Sequence, residues 1–145
     1  MIYIDEEKIC PTKAAEVYSW ICDIENYKTW IPHCSDSGIS KKINEHSHEA
    51  YITMDLGLWE KKLLTRNTYT AATTVKMELV KGPFRTFEGL WTLESLGENS
   101  TRVRLQIQAA LQLGFLEPAA QLMISQYRGQ LIALLQRRFF VERSN

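Results

Sequence analysis

Four histidine and cysteine side chains between positions 33 and 48 have the chemistry to hold a metal: His33, Cys34, His46 and His48. A structural zinc site needs four such donors, usually in two close pairs whose spacing sets the tetrahedron. These four match no standard spacing, and the histidines fall in a polar stretch. They read as exposed loop histidines, so no metal is expected. Nucleophilic chemistry has no better footing. No serine, histidine and acid are arranged as a triad. Asp55 and Glu88 fall on strand faces that read as outward, which leaves no paired carboxylates for general acid–base work. The inward faces read as almost wholly apolar, without the proton donor or acceptor that a cyclase would need. No catalytic residue and no cofactor are therefore expected, and the chain reads as a non-enzyme. Cys10, Cys22 and Cys34 are odd in number and unpaired by spacing, as suits a reducing compartment.

Cations form the next group. Arg128, Arg137, Arg138 and Arg143 gather on and after the last predicted helix, and Arg102 and Arg104 lie on the outward face of a strand. Such groups can meet RNA phosphates or an acidic partner. They suit equally well a solvated helix end whose cations complement its dipole. Arg128, Arg137 and Arg138 are the candidates for contact with a partner. The whole chain carries 17 Lys and Arg against 17 Asp and Glu, so its formal charge is zero. That argues against a surface given over to nucleic acid, and DNA is not an expected partner.

The elements that position these residues follow from periodicity. The 145 residues are enough for one domain, 1–145, burying about 70% of its unfolded surface. No apolar run approaches the ~18 residues of a membrane span. The acidic start, Met1 to Glu7, does not resemble a signal peptide, and a cytoplasmic location is expected. Ile2 to Cys10 reads as a strand, Ala14 to Ile21 as a short helix, and Glu25 to Trp30 as a second, ended by Pro32. Strands then follow one another: Ser37 to Ile43, Ala50 to Leu58, Lys62 to Tyr69, Thr74 to Val80, one through Phe87 to Leu93, and Thr101 to Gln112. In the last, Val103, Leu105, Ile107, Ala109 and Leu111 alternate with polar neighbours, the pattern of a sheet with one covered face. A single long helix is predicted from Leu116 to Phe140, roughly 37 Å of rod with an apolar stripe and Gly129 inside it. Unbroken strands imply an antiparallel meander, and a twisted sheet of this size curls. The long helix would cover its concave face and leave a cavity wherever side chains do not fill the gap.

Two segments carry a family resemblance. One is Asp23-Ile24-Glu25-Asn26-Tyr27-Lys28-Thr29-Trp30-Ile31-Pro32-His33-Cys34, and the other runs from Leu79 through Gly82-Pro83-Phe84 to Gly89-Leu90-Trp91-Thr92-Leu93. With Thr65-Arg66-Asn67, they resemble the RatA and coenzyme-Q-binding family of START-like (SRPBCC), helix-grip proteins. These are often labelled oligoketide cyclase or lipid-transport proteins. The resemblance implies an α+β helix-grip fold: a curved antiparallel sheet wrapped around a long C-terminal helix, with two short helices near the N-terminus. It implies an apolar cavity for a ubiquinone-like polyprenyl quinone or similar lipid. In the toxin–antitoxin members called RatA, it also implies association with the large ribosomal subunit and interference with subunit joining. The chain departs from the family at Gln108 to Gly114, which is poor in aromatics, and more strongly along Glu117 to Arg138.

The candidate ligand wall combines Trp30 with Met54, Leu56, Met77 and Leu79 on the inward strand faces. Phe84, Phe87, Trp91, Leu105 and Ile107 extend it, and Ala120, Met123, Tyr127 and Leu131 come from the helix. Phe84, Phe87 and Trp91 suit ligand contact or plain core packing. Met54, Met77 and Met123 suit a pliable pocket or ordinary gap filling. Gly82-Pro83-Phe84 could shape the cavity mouth or simply turn the chain. The resulting expectation is non-enzymatic binding of a hydrophobic small molecule or lipid, with a ribosome-associated regulator as the alternative.

Overall fold

The computed structural model describes residues 1–55, 60–127 and 129–144, with the side chains of 123 and 138–144 outside the description. The elements in chain order are β1 (Ile2–Cys10), α1 (Ala14–Cys22), a 3-10 segment (Ile24–Thr29), β2 (Cys34–Asn44) and β3 (Ser47–Asp55). They continue with β4 (Glu60–Thr70), β5 (Thr74–Lys81), β6 (Phe84–Gly97), β7 (Ser100–Leu111), a short 3-10 turn (Gly114–Leu116), α2 (Glu117–Ser125) and α3 (Leu131–Ser144). The strands form one antiparallel sheet in the order β1-β7-β6-β5-β4-β3-β2. Strands β2 to β7 are the predicted meander, and β1 closes onto β7 with Ile2 opposite Ala109 and Cys10 opposite Thr101. Register shifts interrupt β2–β3, β4–β5 and β6–β7. Each bulge bends its strand and adds twist, which is how the sheet acquires its concave face.

The predicted second helix is a 3-10 segment, Ile24–Thr29, and it stops before Pro32 as expected. The predicted continuous helix from Leu116 to Phe140 is broken. Its parts are α2 and α3, separated by a turn in which Gly129 takes φ +76°. A Cβ at Gly129 would meet nothing within 4 Å, so backbone conformation, not space, calls for glycine here. The apolar stripe continues across the break and so hid it from a periodicity reading.

Buried side chains gather in three clusters. The largest joins Val17, Trp20 and Ile21 of α1, and Ile132 and Leu135 of α3, to Val75, Trp91, Leu93, Val103 and Leu105 of the sheet. A second joins Ile2, Ala109 and Leu111 to Phe84, Leu116, Ala120 and Ile124. A third sets Ile24 and Tyr27 on Ala50, with Trp30, Ile31 and Ile52 around them. One part of the concave face is thus packed solid by α1 and α3. Elsewhere the clusters do not merge.

Candidate functional site

A cavity of about 260 Å³ lies where the three clusters meet. The sheet contributes Met77, Phe84, Phe87, Trp91, Leu105, Ile107 and Ala109, together with Ile2 and Ile4 of β1 and Ile52, Met54 and Leu63 of β3 and β4. The 3-10 segment and the residues after it supply Tyr27, Trp30 and Ile31, and the helical region supplies Ile124, Tyr127 and Leu131. Two aromatic pairs stiffen the wall: Phe84 and Phe87 at 5.4 Å between centroids, and Tyr27 and Trp30 edge-on at 5.3 Å. The Tyr27 hydroxyl donates to the Ile21 carbonyl, and burial raises its pKa well above the ordinary tyrosine value. Gly89 makes room in the floor. A Cβ there would come within 2.4 Å of the Met77 terminal methyl, so Met77 lies across β6 only because position 89 lacks a side chain. At the mouth, the ring of exposed His33 meets Tyr127 edge-on at 6.1 Å, next to Gly129.

Of the predicted wall, Trp30, Met54, Met77, Phe84, Phe87, Trp91, Leu105, Ile107, Tyr127 and Leu131 come together around this space. Leu79 does not. It is on the inward parity of β5, but β4 and β5 shift register between Leu64 and Thr65, beside it, and the cavity ends short of this point. Ala120 packs against the second cluster instead of lining the cavity. Leu56 lies outside the described residues, as does the side chain of Met123. Gly82 and Pro83 form the β5–β6 turn and line a separate surface cleft of about 620 Å³ with Lys61, Lys62 and Lys81, while Phe84 faces the cavity.

The interior is almost wholly apolar as expected, and Glu6 is the exception on the cavity wall. Its side chain is only 6% exposed and lines the cavity. Oε1 accepts a hydrogen bond of 2.6 Å from the backbone N–H of Ile132, in the first turn of α3, where helix donors lack partners of their own. Oε2 is buried and accepts no hydrogen bond from the described residues. The signal was present in the sequence: alternation along β1 puts Glu6 on the face of Ile2, Ile4 and Cys10.

A second polar group lies on β3 and β4. Thr65 donates to Asn67 Oδ1 at 2.7 Å, the Asn67 amide reaches the Tyr69 hydroxyl at 3.5 Å, and that hydroxyl bonds His48 Nε2. His48 is therefore a half-buried strand residue and not an exposed loop histidine. Burial lowers its pKa. The Cys34 thiol points to the Asp36 carbonyl at 3.3 Å, and His46 is exposed in the β2–β3 turn. Among the described residues, no three His, Cys, Asp or Glu side chains stand close enough to share a metal ion. Asp55 and Glu88 are exposed as expected.

The arginines divide. Arg102 is paired with Glu7 at 3.1 Å and Glu94 at 2.8 Å, and Arg104 forms a two-pronged bond with Asp5. Both are thus matched by carboxylates on their own sheet face and are poor candidates for phosphate contact. Arg137 is exposed on α3, whereas Arg128 and the side chain of Arg138 lie outside the described residues.

Comparison with known proteins agrees with this architecture. The curated relatives include the ribosome association toxin RatA of Pseudomonas aeruginosa, 26% identical over 105 residues and 72% of each chain. Another is the persistence and stress-resistance toxin PasT of Escherichia coli, 26% identical over 107 residues, 74% of this chain and 67% of that one. Among solved structures, a START superfamily protein from Mycobacterium smegmatis superposes with a TM-score of 0.78 over 99% of both chains at 18% identity. The Zhui aromatase/cyclase of Streptomyces sp. R1128 gives 0.68 over 97% of this chain and 88% of that one, at 14% identity. These likenesses show a shared fold. The model of the polyketide cyclase / dehydrase and lipid transport family matches residues 10–135, from the end of β1 into α3. A curved seven-stranded sheet, helices across its concave face and an apolar space between them thus come with a family match over most of the sequence, and the chain belongs to that family.

Proposed function

We propose that the protein binds an apolar small molecule or lipid, such as a ubiquinone-like quinone, in the cavity between sheet and helices and does no chemistry on it. The observation that carries this reading is the cavity itself. Its wall is almost wholly apolar, so a hydrophobic occupant gains by leaving water, at roughly 25 cal/mol per Å² of apolar surface covered. The volume lies just below the ~300–1,000 Å³ of ordinary small-molecule pockets. A ring system or a short stretch of chain fits inside, and a polyprenyl tail would leave past His33 and Tyr127. Native mass spectrometry of gently purified protein tests this directly. A retained mass that is lost on solvent extraction, with a fall in melting temperature, is expected. An adduct-free protein whose melting temperature no apolar probe raises would refute it.

The relatives named as ribosome association toxins favour a second reading, association with the ribosome, which the family resemblance of the sequence narrows to the large subunit in the cytoplasm and hindrance of subunit joining. Exposed Arg137 supports it, with Arg128 and Arg138 as its sequence companions. Arg102 and Arg104 do not, since they are paired. Such binding would weaken steeply with salt, because it releases counterions. Absence of co-sedimentation with ribosomal subunits even at low salt would remove this reading.

A further inference from the structure

We propose that Glu6 is the polar anchor of the cavity, and that its ligand is an apolar molecule bearing a hydroxyl donor, a phenol, quinol or alcohol, whose O–H donates to Glu6 Oε2. This rests on the binding reading above and narrows it to ligands that carry a donor, the quinol in place of the quinone.

The argument begins with the carboxylate. Glu6 is 94% buried, lies on the cavity wall and has one oxygen already committed: Oε1 takes the Ile132 N–H. That bond accounts for why an acid is tolerated here, since it satisfies a donor at the start of α3 and places negative charge at the positive end of the helix. It accounts for one oxygen alone. Oε2 has almost no exposed surface and no protein partner among the described residues, so a ligand hydroxyl meets it once the carboxylate turns about its Ile132 bond toward the cavity that Glu6 lines. A buried polar atom in that state is costly, and folded proteins rarely leave one without a reason. The Gln136 side-chain oxygen on α3 is also buried without a partner, but it does not line the cavity.

A carboxylate offers acceptors only. The ligand group that meets Oε2 must therefore donate. A quinone carries carbonyl acceptors and would set oxygen against oxygen, whereas the corresponding quinol carries hydroxyls. A carboxylate or phosphate headgroup would add like charge. The fold already bears the desolvation of Oε2, so a ligand hydroxyl loses only its own water on entry. The surrounding wall of Ile4, Trp91, Leu105 and Leu131 takes the apolar body.

The test compares two probes of nearly equal shape, 1-naphthol and 1-methoxynaphthalene, by isothermal titration calorimetry against the parent protein and Glu6→Gln. Glutamine can keep its Oε1 on the Ile132 N–H and present an amide donor where Oε2 stood. The parent should bind 1-naphthol at least about tenfold more tightly than the ether, the effect of one hydrogen bond to a charged acceptor. Glu6→Gln should abolish or invert that preference. Equal binding of both probes by the parent would overturn the anchor and leave the apolar cavity standing. Binding of neither would overturn the cavity reading and the anchor with it. Because the parent comparison is decisive by itself, a variant that fails to fold does not rescue the proposal. A Glu6 that serves purely as a helix cap would change the melting temperature of the variant and leave the probe ratio unmoved.

Discussion

Ala109 and Ala50 offer a paired measurement of whether the space is real. Both are small and almost wholly buried on inward strand faces, at 1% and 2% exposure. Ala109 borders the cavity, whereas Ala50 sits against Ile24 and Tyr27 in the third cluster and does not. Replacing either by leucine adds three carbons. At Ala109 they enter empty space, where each buried methylene is worth about 0.8 kcal/mol. Subtracting about 0.5–1 kcal/mol for the frozen leucine rotamers leaves a gain of about 1–2 kcal/mol. At Ala50 they enter packed core, where overpacking costs about 1–3 kcal/mol. The two variants should thus differ by roughly 2–5 kcal/mol. For a domain of this length, that separates their melting temperatures by roughly 6–15 °C, with Ala109→Leu the higher. Differential scanning calorimetry reads the difference, and displacement of an apolar fluorophore reads occupancy. Ala109→Leu should lose the fluorophore and Ala50→Leu should keep it. Equal destabilisation of both variants, with fluorophore binding unchanged in both, would refute the cavity and the binding reading built on it.

Three further outcomes are expected. Gly129→Ala should cost about 1–2 kcal/mol, because φ +76° burdens any residue with a Cβ; a shift of the urea midpoint with unchanged slope checks it. Gly89→Ala should be nearly neutral in stability, since the clash is with the flexible end of Met77, yet it should weaken apolar probes by pushing that methyl into the cavity; a large loss of stability would show that Met77 has nowhere to go. Burial lowers the His48 pKa, so the neutral ring is the folded form, and its contribution is present above the ordinary value near 6.5 and lost as pH falls below it. Denaturation between pH 7 and pH 5 should show a drop that His48→Gln reduces, and an identical drop in both proteins would exclude this role.

The fold was legible because its signals are local and repeated. Alternation through Thr101 to Gln112 puts Val103, Leu105 and Ala109 on one face, and the observed register keeps them there. Unbroken strand succession named the meander, and the same parity reading brought most of the cavity wall together. What escaped was non-local or singular. The β4–β5 register shift that leaves Leu79 out of the wall has no periodic trace. His48 looked like a loop residue in its polar neighbourhood, and only the Tyr69 hydroxyl, 21 residues away, reveals why it is held inside. Arg102 and Arg104 looked free until pairing with β1 and β6 set Asp5, Glu7 and Glu94 opposite them.

The break between α2 and α3 and the buried Glu6 explain each other. In an uninterrupted helix from 116 to 140, the N–H of Ile132 would be committed to the carbonyl four residues earlier, and Glu6 would face the helix with no donor to meet. The turn that holds Tyr127 and Gly129 restarts the helix: the Gln130 carbonyl accepts from Leu134, and the first-turn donors of α3 are released. One of them takes Glu6 Oε1, 126 residues away in sequence, and so ties the helix start to β1. The same turn places Tyr127 and Gly129 opposite His33 at the mouth. The left-handed Gly129 thus belongs to the turn that edges the cavity and frees the donor for Glu6 Oε1. Without that donor both carboxylate oxygens would be buried unpartnered, so the break in the helix is what lets β1 carry an acid on the cavity wall.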